Sequence, residues 1–180
     1  PRRRRWQIKT RNQEMAENSC DSAHFHYVHG TMNIPQSTAK VDGHILHVFS
    51  TTGMDTPRGG VEGSVESISY GFGYGIVRFR GIVETLLVSS VTPIEDELVD
   101  VRFSFTVKKL PNKDVTKGVG GAFIAEVTRQ LEQDTPIWEN KVHFERAILC
   151  DGDGPIGLFR RWCKQFYTFP EGAEAARAEA

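Results

Sequence analysis

The chain has 180 residues, of which 39% are hydrophobic and 25% charged, and its formal net charge is −1. Such values suit one globular domain with a sizeable core, and a charge this small excludes a global field for attracting nucleic acid. No run of about 18 apolar residues occurs, which argues against a membrane-spanning helix. The three cysteines are an odd number without paired spacing, so we expect a reducing, cytoplasmic location rather than a disulfide scaffold.

The first ten residues predict an extended start to the chain. Arg2 to Arg5 form a basic run, and a short strand is predicted from Trp6 to Thr10. The run would suit a contact with an acidic partner or with a further domain, but a solvated linker end is the favoured interpretation.

The stretch from Asp21 to His29 holds an acid and three of the chain's six histidines within nine residues. Good helix formers before it and a glycine after it predict a helix that ends near His29. Asp21 and His24 share a helix face, whereas five steps of about 100° leave His24 and His29 roughly 140° apart. His26 and His29 are the simpler pair, so spacing alone leaves the metal ligands open. A surface helix with solvated histidines is the alternative to a metal site.

The region after this stretch predicts the beginning of an antiparallel sheet. A loop at 33–38 precedes a predicted strand at 41–51, and a hairpin or longer loop follows at 54–63. The predicted strand contains His44 and His47, which we expect to be polar or pocket-lining residues rather than a ligand pair, because residues three apart on a strand face opposite sides.

The glycine-rich segment at 71–75 predicts a bend between strands, which offers Phe72 and Tyr74 to an apolar cavity. The strand at 99–107 is the clearest in the chain, since apolar and polar residues alternate throughout it. One covered and one solvated face of an antiparallel sheet explain that alternation. Further strands are predicted at 65–70, 76–80 and 83–91, with a turn at 93–97.

A loop at 108–121 is predicted to lead into a helix with one apolar stripe. The stripe contains Phe123, Val127, Leu131, Asp134 and Trp138, at steps of four, four, three and four. A carboxylate on such a stripe is expected only if it is paired or bound to a metal, so Asp134 is a candidate ligand or a capping or paired acid. A proline two residues later is expected to kink or loosen the helix beside it.

The C-terminal part predicts a glycine-rich turn at 149–156 and a short helix within 159–167 whose aromatic residues pack on the body. Asp151 and Asp153 resemble a fragment of a calcium loop, but the rest of such a loop is missing. The Ala- and Glu-rich end at 171–180 is expected to fray.

The pattern Asp21-x-x-His24-x-x-x-x-His29, preceded by Glu17-Asn18, resembles the iron-site helix of the Rieske non-heme iron oxygenases. The sequence from His24 to Thr31 resembles that of the branch containing the 3-ketosteroid 9α-hydroxylase oxygenases and their sterol-processing relatives. Segments 131–138 and 149–167 resemble the same branch.

The resemblance implies a role for four residues of this chain. His24, His29 and Asp134 would bind a mononuclear Fe(II) as a two-histidine, one-carboxylate set. Asp21 would carry electrons from a Rieske cluster to that iron as a bridge, without binding it.

The same resemblance implies an α+β helix-grip fold, similar to START domains, in which an antiparallel sheet wraps around a long C-terminal helix and encloses an apolar cavity. Phe72, Tyr74, Phe123 and Trp138 are the predicted walls of that substrate cavity. Residues 1–180 would form a single catalytic domain without its Rieske domain, because neither Cys-x-His nor Cys-x-x-His, which supply the cluster ligands, occurs. The start at Pro1 suggests that this domain lies upstream or elsewhere.

The implied function is Fe(II)- and O2-dependent hydroxylation of a steroid- or sterol-like substrate. Electrons would come from a Rieske [2Fe–2S] cluster and an NADH-dependent reductase, usually across subunits of a homotrimer, and the chain alone should turn over poorly. Two other functions stay open: a metal-free START-like module that binds a hydrophobic ligand, and a hydrolytic zinc site.

Overall fold

A computed structural model of the chain describes residues 2–56, 59–144, 146–150 and 152–168. Within these ranges the fold combines one sheet with four helices, so the predicted α+β class is confirmed. The strands are β1 Arg2–Ile8, β2 Gln36–Asp42, β3 Ile45–Thr56, β4 Gly59–Tyr70, β5 Tyr74–Arg80, β6 Thr85–Glu95 and β7 Leu98–Val107. The helices are α1 Asn12–Glu17, α2 Ala23–Tyr27, α3 Lys113–Asn140 and α4 Ile156–Cys163.

The seven described strands form a single antiparallel sheet in the order β1-β7-β6-β5-β4-β3-β2. Hairpins connect β2 through β7 in sequence, and the N-terminal strand adds to the free side of β7. The strongly alternating segment becomes β7, where Val99, Val101 and Phe105 are buried on the inner face. The strand predicted from the alternation is therefore confirmed.

The basic run at the N-terminus lies in an edge strand, so its interpretation as a solvated linker end is wrong. Arg2 to Ile8 pair with β7, and Arg5 is opposite Arg102. Both of these guanidinium groups bind Asp100, with the Arg5 Nε donating at 2.8 Å and the Arg102 Nε at 2.9 Å. An acid between two arginines compensates for their repulsion and holds the edge strand in register.

The segment predicted as one strand at 41–51 is a hairpin instead. β2 ends at Asp42, and Gly43 turns the chain with a φ of 54°, a left-handed conformation that favours glycine. His44 lies in this turn rather than in a strand, and β2 already begins at Gln36, inside the predicted loop. The strand was missed because its residues are polar, which is typical of a sheet edge that faces water.

The loop predicted at 108–121 is wrong from residue 113 onward, because α3 begins there. The Asn112 side chain caps the helix by accepting hydrogen bonds from the backbone N–H groups of Asp114 and Val115 at 2.8 and 3.3 Å. Gly120 is needed for packing, since a Cβ at this position would lie 2.9 Å from the Cγ1 of Val107. α3 then continues through Pro136 to Asn140 as one helix.

Helices α1, α3 and α4 cover the inner face of the sheet. α3 packs on β1 and β7 through its buried stripe, which includes Leu131, Asp134 and Trp138. α4 packs near β3 around Phe159 and Trp162. No helix among the described residues is long and apolar enough to cross a membrane.

The C-terminal part has fewer described residues. α4 begins at Ile156, earlier than predicted, and a short 3-10 turn, Lys164–Phe166, follows it. The Asp153 carboxylate accepts a hydrogen bond from the backbone N–H of Cys150 at 2.7 Å, as in a turn. Asp151 and the segment 171–180 lie outside the described residues.

Candidate metal centre

The histidine-rich stretch is not the continuous helix that its composition predicts. α1 ends at Glu17, one 3-10 turn spans Asn18–Cys20, and Asp21 is extended at φ −83° and ψ 100°. The Asp21 carboxylate accepts a hydrogen bond from the backbone N–H of His24 at 3.2 Å and so caps the start of α2. An aspartate competes for backbone donors in this way more readily than it continues a helix.

A widened helical turn explains the five-residue spacing of the two motif histidines. The N–H of His29 reaches the carbonyl of His24 at 3.4 Å, a bond across five residues, and Gly30 then ends the helix with a φ of 74°. Such a π-type turn places residues five apart on one side, a feature common at functional sites. The two imidazole centroids are 5.0 Å apart.

The structure brings His24, His29 and Asp134 together, although Asp134 comes from α3. One potential ligand atom from each side chain lies within 4.8 Å of the others. His24 is 8% exposed and Asp134 5%, and His29 Nε2 is 3.3 Å from Asp134 Oδ1. His26 is not in this group, since its Nδ1 contacts the carbonyl of Thr31 at 2.5 Å.

The hydrogen bonds of the two imidazoles leave their inner nitrogens available for a cation. His24 Nδ1 donates to the carbonyl of Asp21 at 2.6 Å, and His29 Nδ1 donates to Gln133 Oε1 at 3.2 Å. Each Nε2 then carries a lone pair, and the Nε2 of His29 faces a carboxylate oxygen, which is unfavourable unless a positive charge lies between them. The donor set therefore fits a divalent first-row metal.

The protonation state of His24 agrees with this fit. Burial lowers the pKa of His24, and the nearby Asp134 charge opposes that effect without cancelling it. The imidazole is therefore neutral near pH 7, which is the form that binds a metal.

Asn18 belongs to the site, although sequence reasoning treated it only as context for the motif. Its amide Nδ2 lies 3.2 Å from His24 Nε2 and 3.2 Å from Asp134 Oδ2. The amide thus donates toward the same two atoms that a cation would contact. The sequence feature that could have identified Asn18 is its position three residues before Asp21, the first residue of the motif.

An ion network around the two buried carboxylates of Glu14 and Glu17 supports α1 and was not predicted; its other members are Lys141, His143 and Arg160. Lys141 Nζ lies 2.6 Å from Glu14 and 2.9 Å from Glu17, while Arg160 Nε donates to Glu17 at 2.7 Å. His143 Nδ1 lies 2.6 Å from Glu14. Burial alone would raise the pKa of Glu17, but the hydrogen bonds from Arg160 and Lys141 together lower it.

A cavity of about 210 Å³ lies between the inner face of the sheet and the helices, and the three converging side chains are part of its wall. Phe72 and Trp138 line it, and Tyr74 borders it, although Tyr74 is 46% exposed. Their role as walls of a substrate cavity stays a prediction. Phe123 does not line it: its ring packs against Phe79, with centroids 5.2 Å apart, because the buried residue in this turn of α3 is Ile124.

A second cavity of about 90 Å³ lies against His24 and Asp134, and charged residues that include Asp21 and Lys141 line it. Asp21 does not line the larger cavity. Asp21 therefore borders the smaller cavity and not the larger one.

Comparison with known proteins gives matches to both sequence and fold. The family model of the 3-ketosteroid 9alpha-hydroxylase C-terminal domain matches residues 2–167. A 3-ketosteroid-9-alpha-monooxygenase oxygenase component from Rhodococcus rhodochrous is 30% identical over 173 residues, which cover 86% of this chain and 43% of that protein. Solved structures include a Pseudomonas putida NdmA mutant with caffeine, with a TM-score of 0.65, 17% identity, and coverage of 99% of this chain and 52% of that one. A START superfamily protein from Mycobacterium smegmatis has a TM-score of 0.53 and 10% identity, and the match covers 76% of this chain and 97% of that one.

The structural matches have low sequence identity and therefore bear on the fold alone, which this chain shares with the NdmA mutant and with the START superfamily protein. The chain spans less than half the length of the curated relatives it matches first. The family resemblance predicted from the histidine motif is confirmed by the family model. The chain belongs to the 3-ketosteroid 9alpha-hydroxylase C-terminal domain family.

Proposed function

We propose that this chain is the mononuclear-iron catalytic domain of a Rieske-type oxygenase that hydroxylates a steroid- or sterol-like substrate. The observation that carries the proposal is the convergence of His24, His29 and Asp134 at the wall of a largely apolar cavity. The family match and the names of the relatives, which are monooxygenase oxygenase components, support it.

Each residue of the site has a distinct task in this proposal. The two neutral imidazoles and the Asp134 carboxylate hold Fe(II), which when bound supplies O2 activation at the positions that three protein ligands leave open. The carbonyl of Asp21 and the amide of Gln133 fix the orientation of the two imidazoles through their Nδ1 atoms. The carboxylate balances charge in a site from which most water is excluded.

The cavity would bind the substrate and direct one C–H bond to the site. Its volume of about 210 Å³ is below the roughly 300–1,000 Å³ that is typical of pockets for drug-sized ligands. We therefore infer that a multi-ring substrate widens the cavity or extends through its mouth.

Hydroxylation of a C–H bond by O2 also consumes two electrons and two protons, and this requires an external donor. We propose a Rieske [2Fe–2S] cluster outside residues 1–180 as that donor, supplied in turn by an NADH-dependent reductase and arranged across a homotrimer. Asp21 suits the entry point, because it lines the second cavity, beside His24, and does not line the larger cavity.

The direct test is an anaerobic Fe(II) titration of the purified chain, with metal content measured before and after. We expect about one equivalent of iron in the parent, loss of binding in His24→Ala, and unchanged binding in the matched control His26→Ala. Retained zinc with no iron uptake would favour a hydrolytic site. Ligand binding without any bound metal would favour the metal-free module and overturn the proposal.

A further inference from the structure

The inner face of the sheet is apolar along most of the cavity but carries hydroxyl groups at one place. Ser67 and Ser69 of β4 and Ser89 of β6 line the cavity together with the bend at Phe72. The strand register places Ser69 beside Gly75 of β5, and Gly75 in turn beside Ser89. We call these three serines and the glycine between them the serine subsite.

The hydroxyl groups of this subsite have unused hydrogen-bonding capacity. Ser67 and Ser69 have no side-chain hydrogen bond to any part of the chain that the structure describes, and the Ser89 hydroxyl has only a long one, 3.4 Å, to the carbonyl of Gly75. Ser50 on the same face differs, because its hydroxyl lies 2.7 Å from that of Ser37. Polar groups on an otherwise apolar wall are unfavourable unless something satisfies them.

Gly75 makes room in the centre of the subsite. The backbone does not require a glycine here, since the residue is not among those with positive φ. A Cβ at this position would lie 3.0 Å from Ser89 Oγ and 3.6 Å from the carbonyl of Ile68, so a side chain would fill the space beside the hydroxyl. The glycine leaves a notch about one strand spacing from Ser69 on one side and Ser89 on the other.

We propose that the serine subsite binds a ring carbonyl or hydroxyl oxygen of the otherwise apolar substrate. A serine hydroxyl rotates freely and donates to a carbonyl or pairs with a hydroxyl, so either group is suitable. The inference rests on the proposed function for the class of ligand and adds which residues select it. An oxygen held at the sheet fixes the long axis of a rigid ring system and thereby determines which C–H bond faces His24, His29 and Asp134.

The test compares 5α-androstan-3-one with its parent hydrocarbon 5α-androstane, which has the same rings and no oxygen. Their affinities for the parent chain and for Ser69→Ala/Ser89→Ala are measured by tryptophan fluorescence, since Trp138 lines the cavity. We expect the double variant to bind the ketone about 3- to 10-fold more weakly, as for one or two lost hydrogen bonds, and the hydrocarbon within about twofold of the parent.

Two further variants sharpen the result. Ser90→Ala is the matched control, because Ser90 is the next residue on β6 and faces the other side of the sheet, and it should change neither affinity. Gly75→Ala fills the notch and should weaken the binding of the ketone more than the binding of the hydrocarbon.

Iron titration of the same samples separates this inference from the proposed function. If the double variant binds iron and both ligands as the parent does, the serine subsite is overturned and the iron site stands. If the parent binds no iron but the double variant loses ketone affinity selectively, the subsite stands and the proposed function fails. The subsite is also overturned if the double variant binds the ketone and the hydrocarbon equally more weakly than the parent, or if the parent binds neither ligand.

Discussion

Asp134→Asn should stabilise the metal-free protein while removing its response to metal. The Asp134 carboxylate is 5% exposed, and its described contacts are the Asn18 amide at 3.2 Å and the His29 Nε2 at 3.3 Å. No described lysine or arginine forms an ion pair with it. An asparagine of the same shape can donate to the imidazole and accept from Asn18, which replaces a buried charge by a neutral pair.

The expected gain in the metal-free state is about 1–2 kcal/mol, by analogy with the replacement of buried charges elsewhere. In a chain of this size that corresponds to a rise in Tm of roughly 2–8 °C. In the parent, Fe(II) at about 100 times its Kd should add about 2.7 kcal/mol, or roughly 5–11 °C. The variant should show no such shift.

The assay is anaerobic thermal unfolding, followed by tryptophan fluorescence, with chelator and with Fe(II). Glu132→Gln is the matched control, because Glu132 is exposed on the same helix, and it should keep the parent Tm within about 2 °C and the full metal shift. A fall of several degrees in metal-free Asp134→Asn would mean that the Asp134 carboxylate stabilises the metal-free protein, and would refute the reasoning. A full metal shift in the variant would remove Asp134 from the ligand set.

Three other predictions concern the surroundings of the site. Asp21→Asn should bind iron as the parent does and keep the parent Tm within about 2 °C, since asparagine caps helices as well as aspartate. It should nevertheless lose most NADH-coupled turnover when the Rieske domain and reductase are supplied. Turnover equal to that of the parent would refute the bridging role. Arg160→Met should lower the free energy of unfolding in urea by about 2–4 kcal/mol at pH 7, because it leaves Glu17 with one fewer partner. Since the pKa of Glu17 is lowered below its usual 4.5, this difference should be present above pH 4.5 and shrink as the pH falls through the lowered pKa. A difference in unfolding free energy that persists in acid would contradict this reasoning. Cys150 is exposed, whereas burial raises the pKa of Cys20 to about 12, so at pH 8 Cys150 should react with a thiol reagent far faster than the two buried cysteines, and equally fast reaction of all three would contradict the packing.

Most of the candidate site could be predicted from the sequence because its motif is specific. Asp134 was recognisable as a carboxylate on an apolar helix stripe, and the family resemblance supplied its partners. The spacing of His24 and His29 alone did not select them, because ideal helix geometry separates them and only the widened turn that ends at Gly30 brings them together. The interruption at Asp21 follows from local side-chain hydrogen bonding, which competes with helix propensity but is hard to rank against it.

The misplaced elements share a physical cause, namely that tertiary packing overrides local propensity. Glycines at the start of α3 predicted a loop, but the cap at Asn112 and the close contact of Gly120 with Val107 favour a helix there. The ion network around Glu14 and Glu17 could not be predicted, because Glu17 and Arg160 are brought together only by the packing of α4 on α1. Phe123 was wrongly predicted as a cavity wall, because its ring packs half-buried against Phe79 and Ile124 is the buried residue of that turn.

Anomalous scattering at the iron edge from crystals of the Fe(II)-loaded chain tests the central claim most directly. The account predicts one peak at roughly 2.0–2.2 Å from the Nε2 atoms of His24 and His29 and from a carboxylate oxygen of Asp134. The Asn18 amide should be displaced from its present position between two of those atoms. A peak at His26 or elsewhere in the chain, or no peak in protein that has taken up one equivalent of iron, would contradict the account.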